Sequence, residues 1–398
     1  VNQKLLESHF TWVVVALFVL GTVIYIFPVG QIQPGHCLAL VIILMGVSLV
    51  RWHDLNIGDK WLIAFGVYAL IVNTYYYFSL QNPEFLSSIF YWAYNIALFI
   101  ALSHILSAAP KVRLALPYVL LVCLAIIFVL WAVGFGYLQS DVNELRFIGS
   151  FNDSNQLSYW LICSFLGLYL LSDNGILRNR YIQLGCLIVI ALLISAAGSR
   201  SGSFGLLPLA AGFIWLRFFK DKLSLPKPIL LLILGVVLIG IVSILGSKVN
   251  THVANSNQEL SSAQDVPLNR LASTEWKREA RIRGYFRPIK HPQYLLFGAG
   301  HGQESRFNSI QEIHSSFLSV FFYYGILGLV LFMGFLYQIF RRLSLPEALM
   351  LSAPFVYGLF TYGFRTPIFW VLMAIVVATR PKVLKAFESR SKQVSNAT

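Results

Sequence analysis

The stretch EIHSSFLSVFFYYGILGLVLFMGFLYQIF occupies residues 312–340. Beyond Glu312 and His314 it carries no titratable charge up to Phe340. A helix rises about 1.5 Å per residue, so 316–340 is long enough to cross a hydrocarbon core of roughly 30 Å. That reading decides the class of the chain, because a bilayer offers the backbone only helices or closed barrels. The same stretch sets His314, Ser315 and Ser316 at the mouth of the span, directly after a long segment rich in arginine.

Outward from this run, apolar segments recur near 11–28, 36–50, 61–78, 86–108, 115–137, 156–172, 181–197, 203–219, 228–246, 346–363 and 366–379. The composition agrees: of 398 residues, 57% are hydrophobic and only 12% charged, against about 25% charged in soluble domains. Mean hydropathy is +0.69. The expectation is an all-α, polytopic membrane protein of about twelve spans. The first run, 11–28, spans and lacks a small-residue cleavage site, so it reads as a helix and not a cleaved leader. Cys37, Cys123, Cys163 and Cys186 fall inside apolar runs without metal-ligand spacing and read as packing residues.

Net charge is +13. In a membrane chain such an excess collects in cytoplasmic loops, and nucleic acid is not an expected partner. Twelve spans place Arg51 and Lys60, Lys111 and Arg113, Arg178 and Arg180, Arg217 with Lys220, Lys222 and Lys227, and Arg341 with Arg342 on one side. Lys4 and the tail from Arg380 to Lys392 fall there too. Both termini are therefore expected in the cytoplasm. The opposite loops near 29–35 and 79–85 hold no Lys or Arg, but Arg146, Arg200, Arg365 and a segment of about 248–312 break the rule. The domain plan is 1–247 as spans 1–9, 248–312 as a periplasmic segment, and 313–398 as spans 10–12 with a tail.

The stray arginines carry the functional argument. Arg200, in SAAGSRSGSFG, either snorkels to the interface or binds an anion; a guanidinium fork fits phosphate oxygens in bidentate fashion. In RFIGSFNDSNQLSYW (146–160), Asp153, Ser154 or Asn155 can cap the next helix, which leaves Arg146 unexplained. Residues 267–289 read as a basic helix with Arg270, Lys277 and Arg281 on one stripe, suited to lipid headgroups or another phosphate ligand. A Gly-rich turn, LLFGAGHG, follows. His314 can act as a general base near neutral pH; Ser315 and Ser316 can cap the span or hold the imidazole, and Gly325 and Gly328 would let a neighbouring helix pack close. P-loop, HExxH and Gly-x-Ser-x-Gly motifs are absent from the sequence. The external side is more basic than acidic, so neither a metal nor a cofactor is expected. A basic pocket can neutralise a pyrophosphate leaving group electrostatically.

Four motifs in order resemble the O-antigen ligase and polymerase superfamily: Arg146, Gly149, Phe151 and Asn155; Ser199 and Arg200; His291, Pro292, Phe297, Gly298 and Gly300; and His314, Ser315, nine residues, Gly325, two residues, Gly328. They cover roughly 146–330. The resemblance implies an inverting, metal-independent glycan transferase of the bacterial inner membrane, with its site facing the periplasm. The donor would be a glycan on undecaprenyl pyrophosphate. Arg200 and an arginine of the periplasmic helix would hold the phosphates. Spacing from His291 and Pro292 falls between Arg278 and Arg281, and Arg281 shares the stripe with Arg270. His314 would activate the acceptor hydroxyl, with Arg146, Asn155, Ser315 and Arg365 as further binding residues. A lipid A-core acceptor defines a ligase, to which the His314 motif points; a second lipid-linked glycan defines a polymerase. An anion transporter built on Arg146, Arg200 and Arg365 is the reading from another class, although the sequence shows neither an inverted repeat nor a broken helix.

Overall fold

A computed structural model describes residues 9–27, 32–47, 55–139, 145–172, 176–219, 284–309, 311–341 and 343–379. The described chain is helical throughout, apart from one antiparallel hairpin. The helices are α1 (His9–Gly21), α2 (Pro34–Val47), α3 (Ile57–Leu80), α4 (Glu84–Ala108), α5 (Pro110–Ala132), α6 (Ser154–Leu171), α7 (Arg180–Ala196) and α8 (Arg200–Ile214). A π-helical turn extends α8 to Phe219. Then come the short α9 (Arg287–Lys290), α10 (Ser316–Phe340), α11 (Leu345–Leu351), α12 (Ala353–Gly358) and α13 (Pro367–Thr379). The hairpin, β1 (Tyr137–Gln139) and β2 (Leu145–Phe147), pairs Leu138 with Arg146.

Among the described residues, five helices are long and apolar enough to cross a membrane: α3, α4, α5, α8 with its extension, and α10. The outer faces of α3 and α5 suit a membrane. Val67, Ile71 and Tyr75 on α3, and Leu114, Tyr118, Val122 and Ile126 on α5, are exposed at intervals of four. Such continuous apolar stripes suit lipid, and water would drive them together. The core lies around α6 and α13. Every residue from Leu157 to Leu168 is buried, so α6 meets protein on all sides, and α13 is buried from Ile368 to Val376.

Several loops far apart in the chain meet at one end of the bundle. Tyr25 donates its N–H to Ser150 O (3.2 Å), and Ser150 Oγ donates to Val23 O. Gln303 N–H bonds Glu84, and Tyr285 OH donates to Leu359 O (3.3 Å). The loops after α1 and α5 thus bond each other, and those after α3 and α12 bond the segment preceding α10.

Several expectations need correction. The run 346–363 is not one span but α11 and α12, because Pro354 lacks the N–H that would continue the first helix. The basic helix expected over 267–289 does not reach its C-terminal bound: Gly284 sits at φ +75°, where a right-handed helix cannot continue, and Pro288 is the second residue of α9 instead of ending a longer helix. The span expected at 228–246 lies outside the described residues. Cys37 is exposed on α2, so it is not a core packing residue.

The largest departure is in α10. Gly325 leaves helical geometry (φ 65°, ψ −172°), a region reserved for glycine. A Cβ there would sit 2.3 Å from Leu296 O. The neighbour that Gly325 admits is the backbone of the Gly-rich turn, not another helix. At about 1.5 Å per residue the break lies roughly 13 Å into α10, so the 295–301 segment dips down beside the helix. Irregular backbone at such depth must find its partners inside the protein, and it does. Ala299 and Gly300 donate to Phe322 O and Tyr323 O (3.0 and 2.9 Å), and Leu295 O accepts from Ile326 N (2.8 Å). Tyr68 and Tyr76 donate to Phe297 O and Gly298 O, and His301 N–H donates to Asn73 Oδ1 (2.8 Å). The chain therefore does contain a broken helix.

Candidate functional site

Three helix starts meet at the end where the loops gather. Asp153 caps α6, accepting from Asn155 N (3.1 Å). Ser199 caps α8, accepting from Gly202 N (3.1 Å), while its hydroxyl donates to Asn155 Oδ1 (2.8 Å). One hydroxyl thus ties the first turns of α6 and α8 together. Tyr357 OH of α12 donates to Asn155 O (2.7 Å). Thr361 joins the third start: its hydroxyl bonds Ser201 Oγ (2.8 Å), and its carbonyl accepts from Ser316 Oγ (3.0 Å). Ser316 also accepts from Gly363 N (2.8 Å). Ser315 is the cap residue of α10.

Arg200 and His314 flank this junction. Arg200 opens α8 and is exposed. His314 is half-buried just before the α10 cap, its Nε2 3.1 Å from Gln311 Oε1. Arg146, on β2, lies against Gly198, whose built Cβ would be 3.6 Å from its Nε. Helix N-termini carry partial positive charge, so three of them with Arg146 and Arg200 form a patch that favours an anion.

A second polar network underlies the first, and sequence reading missed most of it. Arg287, only 5% exposed, forms an ion pair with Glu304. It also donates to Tyr323 OH (3.2 Å), Ser309 Oγ (2.7 Å) and Gln311 O. Tyr323 OH donates to Glu304 Oε1 (2.9 Å) and accepts from Ile313 N (3.1 Å). His301 stacks on Tyr323 with centroids 4.4 Å apart, and its Nε2 lies 3.3 Å from Glu312 Oε2. Glu312 also pairs with Arg365. Arg306 donates to Gly300 O (2.6 Å) and packs over Tyr76, Phe85 and Phe307. The sequence signal was present: GAGHGQESRF alternates charge with glycine and aromatics, which a solvated loop has no need to do. What it lacked was any indication of which charge meets which.

Burial pushes the His301 imidazole down to about 3, helped by Arg365, Arg306 and Arg287 and opposed by Glu304. The ring is therefore neutral at physiological pH.

Of the residues singled out from sequence, Arg146, Asn155, Arg200, His314, Ser315 and Arg365 all lie at this one end. Ser315 caps α10, one of the two roles its position suggested. Arg365 acts differently from expectation, engaged with Glu312 and the Tyr362 ring (5.0 Å) instead of standing unpaired. Arg270, Arg278 and Arg281 lie outside the described residues. The chain matches no protein-family model and no curated protein.

Proposed function

We propose that the protein is a membrane glycan transferase of the O-antigen ligase kind, working at the periplasmic face of a bacterial inner membrane. The observation that carries this reading is the junction of the α6, α8 and α10 starts at Asn155, Ser199 and Thr361, with Arg200 and His314 beside it. A cation that can grip phosphate and a base that can take a proton then share one patch. The order of motifs from Arg146 to Gly328 supports the same family. Twelve spans with both termini in the cytoplasm belong to the proposal.

In the reaction, His314 takes the proton of the acceptor hydroxyl. The freed oxygen attacks the anomeric carbon from the face opposite the lipid pyrophosphate, so the configuration inverts. The bond from that carbon to the phosphate oxygen breaks, and its electron pair leaves with undecaprenyl pyrophosphate. Arg200 neutralises the departing charge, which is the larger contribution in such displacements. The acceptor is a lipid A-core sugar; a lipid-linked glycan in that place would make the same chemistry a polymerisation.

Deleting the gene in its host and separating surface from lipid-linked glycan tests the assignment. Long chains stranded on the lipid above a bare core are expected. Single repeats on the surface with no long chains anywhere would assign polymerase. A second reading, anion transport, is favoured by the break at Gly325 and the dipping 295–301 segment, because transporters build sites from discontinuous helices. Unchanged glycan pools, with anion flux lost on deletion, would establish it.

A further inference from the structure

The backbone around His314 is pinned on both sides. Upstream, the carbonyl of Gln311 accepts from Arg287 Nη2 and from Ser309 Oγ (3.0 Å). Ser309 Oγ itself accepts from Arg287 Nη2 (2.7 Å), so one corner of the guanidinium holds this turn at two points. That guanidinium is buried and fixed in turn, since Glu304 and Tyr323 OH engage its other terminal nitrogen. Next to His314, Ile313 N–H donates to Tyr323 OH (3.1 Å), and Ile313 O accepts from Ser319 Oγ (2.8 Å). Downstream, Ser315 caps α10. With the main chain held at each of these points, what remains to be set is the imidazole ring.

Gln311 sets it. Its Oε1 lies 3.1 Å from His314 Nε2. A carboxamide oxygen only accepts hydrogen bonds, so the ring nitrogen facing it carries the proton. A neutral imidazole holds one such proton, and its second nitrogen keeps the lone pair. With Nε2–H on Gln311, that nitrogen is Nδ1. A base works best with its lone pair aimed in advance, because a ring that must first turn or move its proton loses the benefit of prior orientation. The buried Arg287–Glu304 pair thus reaches His314 through a single residue. Arg287 fixes the Gln311 backbone, and the Gln311 amide orients the ring.

We infer that Gln311 is a positioning residue for His314, and that the atom of His314 that takes the acceptor proton is Nδ1. The choice of reacting atom rests on the transferase reading; the orientation of the ring does not. In the step, the hydroxyl proton passes to Nδ1, and the ring becomes an imidazolium that still donates Nε2–H to Gln311 Oε1. The acceptor oxygen bonds to the anomeric carbon as the bond from that carbon to the phosphate oxygen breaks. Nδ1 then gives its proton to water.

The test reads the ring and the reaction separately. Nitrogen NMR is recorded on the full chain in lipid nanodiscs with isotope-labelled histidine, at a pH about two units above the ordinary histidine value of about 6.5. The His314 signals are those lost in His314→Gln. A fully separated pair is expected, Nδ1 of the lone-pair type and Nε2 of the N–H type. Gln311 is exposed, so its substitution leaves the core intact. Gln311→Leu should draw the two signals together as the proton exchanges between nitrogens, and Gln311→Glu, which keeps an acceptor, should restore their separation. An N–H type Nδ1 in the wild type, or a pair unmoved in Gln311→Leu, overturns the proposal. In a transfer assay, Gln311→Leu should lower kcat about three- to tenfold at unchanged KM, the worth of one neutral hydrogen bond, and Gln311→Glu should recover most of it. Replacing the His314 ring by its Nδ-methylated analogue should abolish transfer; wild-type turnover with Nδ1 blocked would overturn the assignment of the base. Ring signals that depend on Gln311, in a chain that transfers no glycan, keep the positioning role and overturn the reaction. Full transfer by Gln311→Leu, with the signals unmoved, does the opposite.

Discussion

In the proposed reaction His314 and Arg200 do different work at the residue scale, and substitution should separate them. His314→Ala removes a proton acceptor, which general-base catalysis makes worth roughly 10²–10⁴-fold in rate. Arg200→Lys keeps a charge and loses the fork, so roughly 10–100-fold is expected, the worth of a charged hydrogen bond. Transfer to a defined acceptor in membranes with equal protein levels measures both; full activity in either variant removes that residue from the mechanism. Gly325 belongs to the same scale. Any side chain there meets both a forbidden φ and the Leu296 carbonyl. Gly325→Ala should lower stability by more than the roughly 1–3 kcal/mol of the backbone strain alone. Thermal unfolding in detergent checks it: a midpoint equal to wild type would mean that α10 can close the break without harm. His314 and Gly325 sit in one motif for separate reasons: the first for proton transfer in the proposed reaction, the second for the close approach of the 295–298 backbone.

The dipping segment 295–301 and its flanks form a unit at the element scale, held by buried charge. Arg287→Ala would strand Glu304 beside Tyr323, and breaking a buried pair costs about 3–5 kcal/mol. Faster proteolysis within 284–312, without general unfolding, is the expected readout; an unchanged digestion pattern would show that the pair does not hold the segment. His301 gives the unit a pH dependence. In the unfolded chain the imidazole takes its proton near 6.5, whereas in the folded chain it resists until about 3. Between those values the unfolded state binds the extra proton, so stability falls as pH falls through the window, and His301 adds no slope above 6.5. Melting followed downward from neutrality should show that slope, reduced in His301→Gln. An identical slope in the variant would assign it to other groups.

The gathering of loops at one end of the bundle makes a prediction about sidedness for the whole molecule. With Cys37 replaced by alanine, an impermeant thiol reagent added outside spheroplasts should label Asn152→Cys and Asn308→Cys but spare Lys111→Cys. Labelling at Lys111 with protection of the other two would invert the topology and put the proposed site on the wrong side for a periplasmic acceptor. The stray arginines make sense at this scale. At this end Arg365 meets Glu312, and Arg146 and Arg200 border three helix N-termini; on the proposed topology these partners keep cations where the positive-inside rule disfavours them.

The sequence by itself determined that the protein is helical, with runs long and apolar enough to cross a membrane, and it located the helix that follows His314 to the residue, 316–340. A bilayer forces every span to be both apolar and helical, so composition and period carry the answer. It also marked Arg146, Asn155, Arg200 and His314, because a polar residue beside a span is conspicuous. Only the tertiary structure decided how they meet. The Ser199–Asn155 and Ser201–Thr361 bonds join residues far apart in the chain, and nothing local in either stretch encodes its partner. The break at Gly325 was hidden for the same reason: an apolar run looks continuous until the 295–301 backbone arrives from elsewhere and takes its hydrogen bonds. Arg287 was passed over as one more cation of the basic helix expected over 267–289, and His301 because a polar residue in a Gly-rich turn reads as solvated; burial is a property of the packed bundle, not of the segment that supplies the residue.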